Sequence, residues 1–353
     1  MRILLVTDAW APQINGVVVT LRNTVAWLER WGHEVKVLSP EGFKTFPMPT
    51  YPEIPLAIFP AREVNRRIAA LAPDAIHIAT EGPIGLSVRR YCRKHDLPFT
   101  TSFHTRFPDY VSARAPVPES WVWASLRWFH GTSEAVMAAT PALAAELRAR
   151  GFRHVVLWPR GVDTALFRPR AGDLCLPKPV FLCVGRVAVE KNLEAFLGLD
   201  LPGTKVIVGD GPARSALEQS YPDAVFLGSL QGERLATVYA AADVFVFPSR
   251  TDTFGLVLLE ALASGLPVAA FPVTGPRDVI GEAPVAVLGE DLRAACLSAL
   301  HISRQACVEF AKRHTWEAAA RAFIENMAQF HAVPAEIEPA DFISAQPASL
   351  LEI

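Results

Sequence analysis

The chain has 353 residues, 51% hydrophobic and 20% charged, a balance that excludes disordered, collagen-like and disulfide-scaffold chains. At roughly 150 residues per domain this length predicts two domains with separate cores. A net charge of −2 lacks the basic excess of a protein that coats nucleic acid. The charge is nevertheless uneven: residues 1–177 carry +6, residues 178–353 carry −8, and seven of the eight Trp lie in the basic half.

In chain order, Met1 to Asp8 has too short an apolar run for a signal peptide and reads as a first buried strand. Short apolar runs then alternate with helical patterns, the signature of parallel sheets covered on both faces. The predicted strands of the first half are Ile3–Val6, Val35–Leu38, Ala75–Ile78, Phe99–Ser102 and Val155–Trp158. Those of the second are Val180–Val184, Lys205–Val208, Ala224–Phe226, Val244–Phe247 and Val268–Phe271. The Pro- and Gly-rich stretch Pro159–Pro179 reads as the linker. Val18, Leu21, Val25 and Leu28 form one helical stripe, and Trp316, Ala320, Phe323, Met327 and Phe330 form another behind the cap candidate Thr315. Residues 332–353, with four acids and no base, read as a disordered tail.

The five Cys show no C-x-x-C pair and no zinc spacing, which suits reduced thiols in a cytosol and argues against a sulfur-bound metal. The most apolar late window, Leu256–Val273, is broken by Glu260, Gly265, Pro267 and Pro272, so any membrane contact is expected to be peripheral.

Strand-to-helix junctions of parallel sheets are where ligands bind, because helix N-termini there offer free N–H groups. Asn15-Gly16 opens one such helix. Gly209-Asp210-Gly211 departs from the dinucleotide fingerprint at Arg214, which disfavours nicotinamide redox chemistry and leaves either a nucleotide turn or a plain structural one. After Val180–Val184 come Arg186 and Lys191, two cations five residues apart that suit a diphosphate. After Val244–Phe247 comes Pro248 to Ala261, with Asp252 in the loop, Gly255 opening a helix and Glu260 inside it. A phosphate-holding helix start flanked by carboxylates that accept bonds from hydroxyls describes a nucleotide-sugar site.

Gly185-Arg186 with Lys191, and Asp252-x7-Glu260 around Thr253-Phe254-Gly255, resemble the retaining glycosyltransferases of family 4, over the chain to about residue 330. The resemblance implies an α/β GT-B fold: two Rossmann-like, doubly wound domains facing across a cleft. Residues 1–165 would bind acceptor and residues 178–315 the nucleotide sugar, with helix 316–331 crossing back onto the first domain. It further implies that Gly16 meets the donor diphosphate, that Arg186 and Lys191 stabilise the leaving phosphate, and that Asp252 binds the transferred sugar. Thr253, Phe254, Gly255 and Leu256 would line sugar and phosphate, and Glu260 would bind the ribose. Many relatives carry Glu at the position of Asp252, whose reach is about one methylene less, so the resemblance alone does not fix the sugar.

His104-Thr105-Arg106-Phe107-Pro108-Asp109-Tyr110 looks like the acceptor-side motif of a lipid-related branch, which includes sulfoquinovosyl-diacylglycerol synthases and lipid mannosyltransferases. Glu81, His104, Thr105, Arg106, Asp109 and Tyr110 would then face the acceptor, with His104 orienting the reacting groups. Trp121, Ser125 and Trp128 share a helix face, with Trp123 and Phe129 nearby, and Arg89, Arg90, Arg93 and Lys94 form a basic cluster; both features suit either an anionic membrane surface or an aromatic core with a solvated helix. The expected activity is transfer of a glucose-, glucuronate- or mannose-type unit from a UDP- or GDP-sugar to a lipid, diacylglycerol first, at the cytoplasmic membrane face, with no metal or other cofactor. A soluble or polysaccharide acceptor, a nucleotide-sugar 2-epimerase and a non-catalytic binding module are the alternatives.

Overall fold

The computed structural model describes residues 1–13, 15–48, 51–104, 117–251 and 254–329. The first half contains β1 (Arg2–Val6), β2 (Glu34–Leu38), β3 (Thr45–Met48), β4 (Tyr51–Ala57), β5 (Ala75–Ile78), β6 (Thr100–Phe103), β7 (Ala135–Ala138) and β8 (Val155–Leu157). Six of these form a parallel sheet in the order β2-β1-β5-β6-β7-β8, and β3 and β4 pair as a separate antiparallel hairpin. Its helices are α1 (Gly16–Arg30), α2 (Ala61–Leu71), α3 (Pro83–Lys94), α4 (Glu119–His130) and α5 (Pro141–Ala149).

The second half repeats the plan with β9 (Val180–Val184), β10 (Thr204–Val208), β11 (Val225–Phe226), β12 (Val244–Phe247), β13 (Val268–Ala270) and β14 (Ala286–Leu288). All six are parallel, in the order β11-β10-β9-β12-β13-β14. Around them lie α6 (Leu193–Leu197), α7 (Arg214–Ser220), α8 (Gly232–Ala241), α9 (Leu256–Ala263), α10 (Thr274–Ile280), α11 (Leu292–Ala299), α12 (Arg304–Ala311) and α13 (Trp316–Ala328).

The apolar runs become strands because both faces of each sheet are covered. In β1, Leu4 and Val6 pack with Ile84 and Val88 of α3, whereas Ile3 and Leu5 pack with Leu21 and Leu28 of α1. The second face is completed by Phe323 and Met327 of α13, the last described helix in the chain. That helix starts at the expected cap, where Thr315 Oγ1 accepts from Ala318 N at 3.1 Å, and it crosses back onto the first sheet. Phe323 lies 4.8 Å from the ring of Trp158, the buried residue that follows β8.

Four strands, β3, β4, β7 and β14, depart from expectation. The β3–β4 hairpin carries Pro47, Pro52 and Pro55, which argue against a central strand and are tolerated because this pair stands outside the main sheets. The Ala-rich β7 and the three-residue β14 have little β-propensity of their own and are held by their sheet neighbours.

Phe323→Ala is expected to destabilise the first domain by about 3–5 kcal/mol, because a fully buried ring that seals one sheet face leaves a cavity. Urea unfolding followed by Trp fluorescence measures this, and a loss under about 1 kcal/mol would mean that α13 is not part of that core.

Candidate active site

In doubly wound sheets the ligand crevice lies outside the carboxyl ends of the strands, where the strand order reverses. The first sheet reverses between β1 and β5, the second between β9 and β12. The two crevices meet: a Cβ built on Gly16, at the start of α1, would stand 3.5 Å from Leu256 Cδ1, at the start of α9. Asn15 caps α1 by accepting from Val17 N and Val18 N at 3.1 and 3.0 Å, which fixes the approach of Gly16.

On the second-domain side, Arg186 follows β9 and Lys191 ends the short 3-10 turn Val189–Lys191. This loop is tied to the one after β12, since Asn192 Nδ2 donates to Pro248 O at 3.0 Å and Ser249 Oγ donates to Glu190 O at 3.4 Å. The Gly209–Gly211 turn supports the same loop from below. Val187 N donates to Asp210 O at 2.9 Å, and a Cβ on Gly209 would come within 1.8 Å of Gly185 O. The turn is therefore a backbone-to-backbone packing device, and Arg214 is engaged by Glu218 and Asp210. Gly255 opens α9 with φ +80°, and its missing side chain leaves room for the Phe247 ring. Inside α9, Glu260 accepts from the buried Tyr239 hydroxyl at 2.9 Å. Burial pushes the Glu260 carboxyl up to about 7, partly opposed by that hydrogen bond.

On the first-domain side, His104 follows β6 and receives a hydrogen bond at Nδ1 from Arg160 Nη2 at 3.3 Å. Its ring meets Trp158 edge-on at 5.5 Å. Burial, then the charge of Arg160, hold His104 well below the usual imidazole range. Glu81 follows β5, and its Oε1 lies 3.2 Å from His130 Nε2, while His130 Nδ1 is 2.9 Å from Thr101 Oγ1. Asp8, just past β1, accepts from Ile84 N, Gly85 N and the Thr80 hydroxyl. Burial still pushes its carboxyl up to about 6.

The expected residues thus divide between the two domains, Gly16, Glu81 and His104 in the first and Arg186, Lys191, Phe254, Gly255, Leu256 and Glu260 in the second, and of these Gly16 and Leu256 approach each other. Thr105, Arg106, Asp109, Tyr110, Asp252 and Thr253 lie outside the described residues, as does the tail from 332. The basic cluster needs correction at Arg89. Its side chain is buried, donates to Phe129 O and Trp128 O, and lies 3.9 Å over the Trp128 ring; it fastens α3 to the end of α4 and is not part of a surface patch. Arg90, Arg93 and Lys94 are exposed. The Trp-rich helix is likewise divided, with Trp121 and Trp128 exposed and Trp123 and Phe129 in the core.

Residues 14–166 match the model for Glycosyltransferase Family 4, and residues 178–301 the one for Glycosyl transferases group 1. A GDP-mannose-dependent alpha-mannosyltransferase of Mycobacterium tuberculosis is 33% identical, with 79% of this chain and 81% of that one covered. The chain belongs to glycosyltransferase family 4. As a family 4 glycosyltransferase it is a hexosyltransferase of the GT-B fold. Sulfoquinovosyl transferase SQD2 of Arabidopsis thaliana is 32% identical over 76% of this chain and 59% of its own length. An alpha-monoglucosyldiacylglycerol synthase of Streptococcus pneumoniae is 28% identical, covering 85% and 78%. Among solved structures, sucrose-phosphate synthase of Thermosynechococcus elongatus superposes with a TM-score of 0.74 at 21% identity, covering 93% of this chain and 98% of that one.

Sequence reasoning about the transferase missed Asp8, Tyr239 and Arg160. Arg160 was hidden in a segment read as linker, although it directly follows a strand end, the same signal that exposed Arg186. The state of Glu260 gives a test. The folded chain keeps its proton up to about 7, the unfolded chain only to an ordinary 4.5, so its contribution to stability falls as pH rises through that window. Glu260→Gln removes the slope: urea titrations at about pH 5, 6 and 7 should show the variant gaining on the wild type as pH rises. A difference that stays constant would mean Glu260 ionises normally.

Proposed function

We propose that this transferase moves a glucose-, glucuronate- or mannose-type unit, with retention at the anomeric carbon, from a nucleoside diphosphosugar to a lipid hydroxyl, diacylglycerol first. The observation that carries the reading is the meeting of Gly16 with Leu256. It supports a reading in which the loop of Arg186 and Lys191 and the carboxylate of Glu260 serve the same crevice as His104.

In this reading the diphosphate lies at the starts of α1 and α9, where both helix dipoles favour an anion and Gly16 lets the backbone approach it closely. Glu260 holds the ribose, and Asp252 the hydroxyls of the sugar. As the bond from the anomeric carbon to the phosphate oxygen breaks, Arg186 and Lys191 stabilise the growing negative charge. The acceptor oxygen bonds to the same face of that carbon, and its proton passes to the departing phosphate oxygen. Glu81, His104, Thr105, Arg106, Asp109 and Tyr110 serve the acceptor side. UDP and GDP donors are both open to this site, and no bound metal is needed for charge balance because two cations are supplied by the chain.

The lipid acceptor is supported by the diacylglycerol named for the pneumococcal relative and by the surface of the first domain. Trp121 is 70% exposed and Trp128 57%; Arg89 binds the Trp128 backbone, bringing α3, with Arg90, Arg93 and Lys94, alongside these rings. Exposed indoles beside basic side chains suit a peripheral site on an anionic bilayer. No helix of the described residues is long and apolar enough to cross one. We place the enzyme at the cytoplasmic face, where its donor would be met from solution.

Incubation with labelled UDP-glucose, UDP-glucuronate or GDP-mannose and mixed lipid should give organic-extractable label in EDTA, with Arg186→Ala lowering kcat/KM about 100- to 1,000-fold. Label only in water-soluble product would replace the lipid reading by the soluble-acceptor one. Charge removal at Arg90, Arg93 and Lys94, combined with Trp121→Ala and Trp128→Ala, should weaken binding to anionic vesicles at least about 10-fold. Unchanged co-sedimentation would assign those residues to ordinary surface.

A further inference from the structure

We propose that Arg160 is a positioning residue that fixes His104 as the Nε2–H tautomer, so that this imidazole meets the substrate as a hydrogen-bond donor and not as a base. The inference rests on the reading of His104 as a group of the active site, but the arrangement itself is independent of any substrate.

Three features of Arg160 carry it. A guanidinium has five N–H donors and no acceptor, so the nitrogen it touches must offer a lone pair. The atom it touches is His104 Nδ1, at 3.3 Å. A neutral imidazole that accepts at Nδ1 carries its single proton on Nε2. The donor is also immobilised: Arg160 is 5% exposed, its Nη1 donates to Trp158 O at 2.6 Å and to Pro159 O at 3.1 Å, and its plane lies 4.4 Å from the centre of the Trp158 ring. Trp158 in turn contacts His104, His77 and Phe323. The imidazole thus has an indole beside it and a fixed cation at one nitrogen.

The electrostatics agree. Burial lowers the Arg160 guanidinium to about 9, which leaves it charged at neutral pH. Burial and the charge of Arg160 oppose protonation of His104, and His77, buried between Thr100 and Ser102, is itself held down to about 3 and stays neutral. A neutral imidazole with its lone pair already engaged has no site left to take a proton from the acceptor. What it offers is one directed N–H, suited to a hydroxyl oxygen of the sugar or acceptor, while the departing phosphate keeps the role of base.

The test is ¹⁵N NMR of the full chain labelled at histidine. The chain has nine His, so His104→Gln assigns the signals by loss. Wild type at neutral pH should show a protonated Nε2 and an unprotonated Nδ1 at His104; the opposite pattern overturns the proposal with no variant of Arg160 needed. Arg160→Met, which cannot donate, should release the tautomer and lower kcat about 10- to 100-fold, as misplacement of a reacting group does, with donor affinity unchanged. Arg160→Gln, whose amide can donate to Nδ1, should recover both the tautomer and most of kcat. If Arg160→Met keeps the wild-type ¹⁵N pattern, Arg160 does not set it. A correct tautomer in a protein that gives label only in water-soluble product would overturn the lipid reading and leave this one standing.

Discussion

Everything about the cleft depends on one crossing point. The chain leaves the first domain at Gly161 and returns to it at Trp316, and these two passages touch: a Cβ on Gly161 would stand 2.3 Å from Trp316 N. Val162 N donates to His314 O at 2.9 Å, and Val162 and Thr315 form an isolated parallel bridge. Only glycine permits two backbones to approach this closely. The connection between the domains is therefore a narrow, double-stranded joint, and it leaves the carboxyl edges of both sheets facing the same space.

The joint also joins structure to chemistry. Immediately before it stand Trp158 and Arg160, which contact His104; seven residues into the returning helix stands Phe323, which packs on Trp158 and His77. A displacement of α13 would be felt first at Trp158, and through it at the imidazole. This coupling runs through packed rings and a fixed guanidinium, a contiguous physical path between the domain connection and the site.

Much of this was legible in the sequence, for reasons that can be named. β1, β9 and β12 are buried on both faces, so they read as unbroken apolar runs. Gly16, Arg186, Lys191 and Glu260 stand in the loops and opening helix turns that follow β1, β9 and β12, where a parallel sheet places its ligands. Arg160 and Tyr239 were not legible, because each acts only through a residue distant in the chain: 56 positions separate Arg160 from His104, and 21 separate Tyr239 from Glu260. Nothing local marks such a pair. Arg89 shows the reverse error. In sequence it is one of four neighbouring cations, but its helical position turns it inward to bind the end of α4.

The same burial that hides these partners shapes the acid response of the first domain. His77 and His104 stay neutral when folded, whereas in the unfolded chain they would take up protons near 6.5. Their contribution to stability is lost as pH falls below that value. Asp8 acts in the opposite sense: it keeps its proton up to about 6 when folded but only to 3.8 when unfolded, so its contribution is lost as pH rises through that interval. The two effects overlap between about pH 4 and 6 and oppose each other. A sheet edge whose buried titratable groups were histidines alone would lose stability in weak acid. The carboxyl of Asp8, placed at the start of α3 by three hydrogen bonds, offsets part of that loss while holding the loop that carries Glu81.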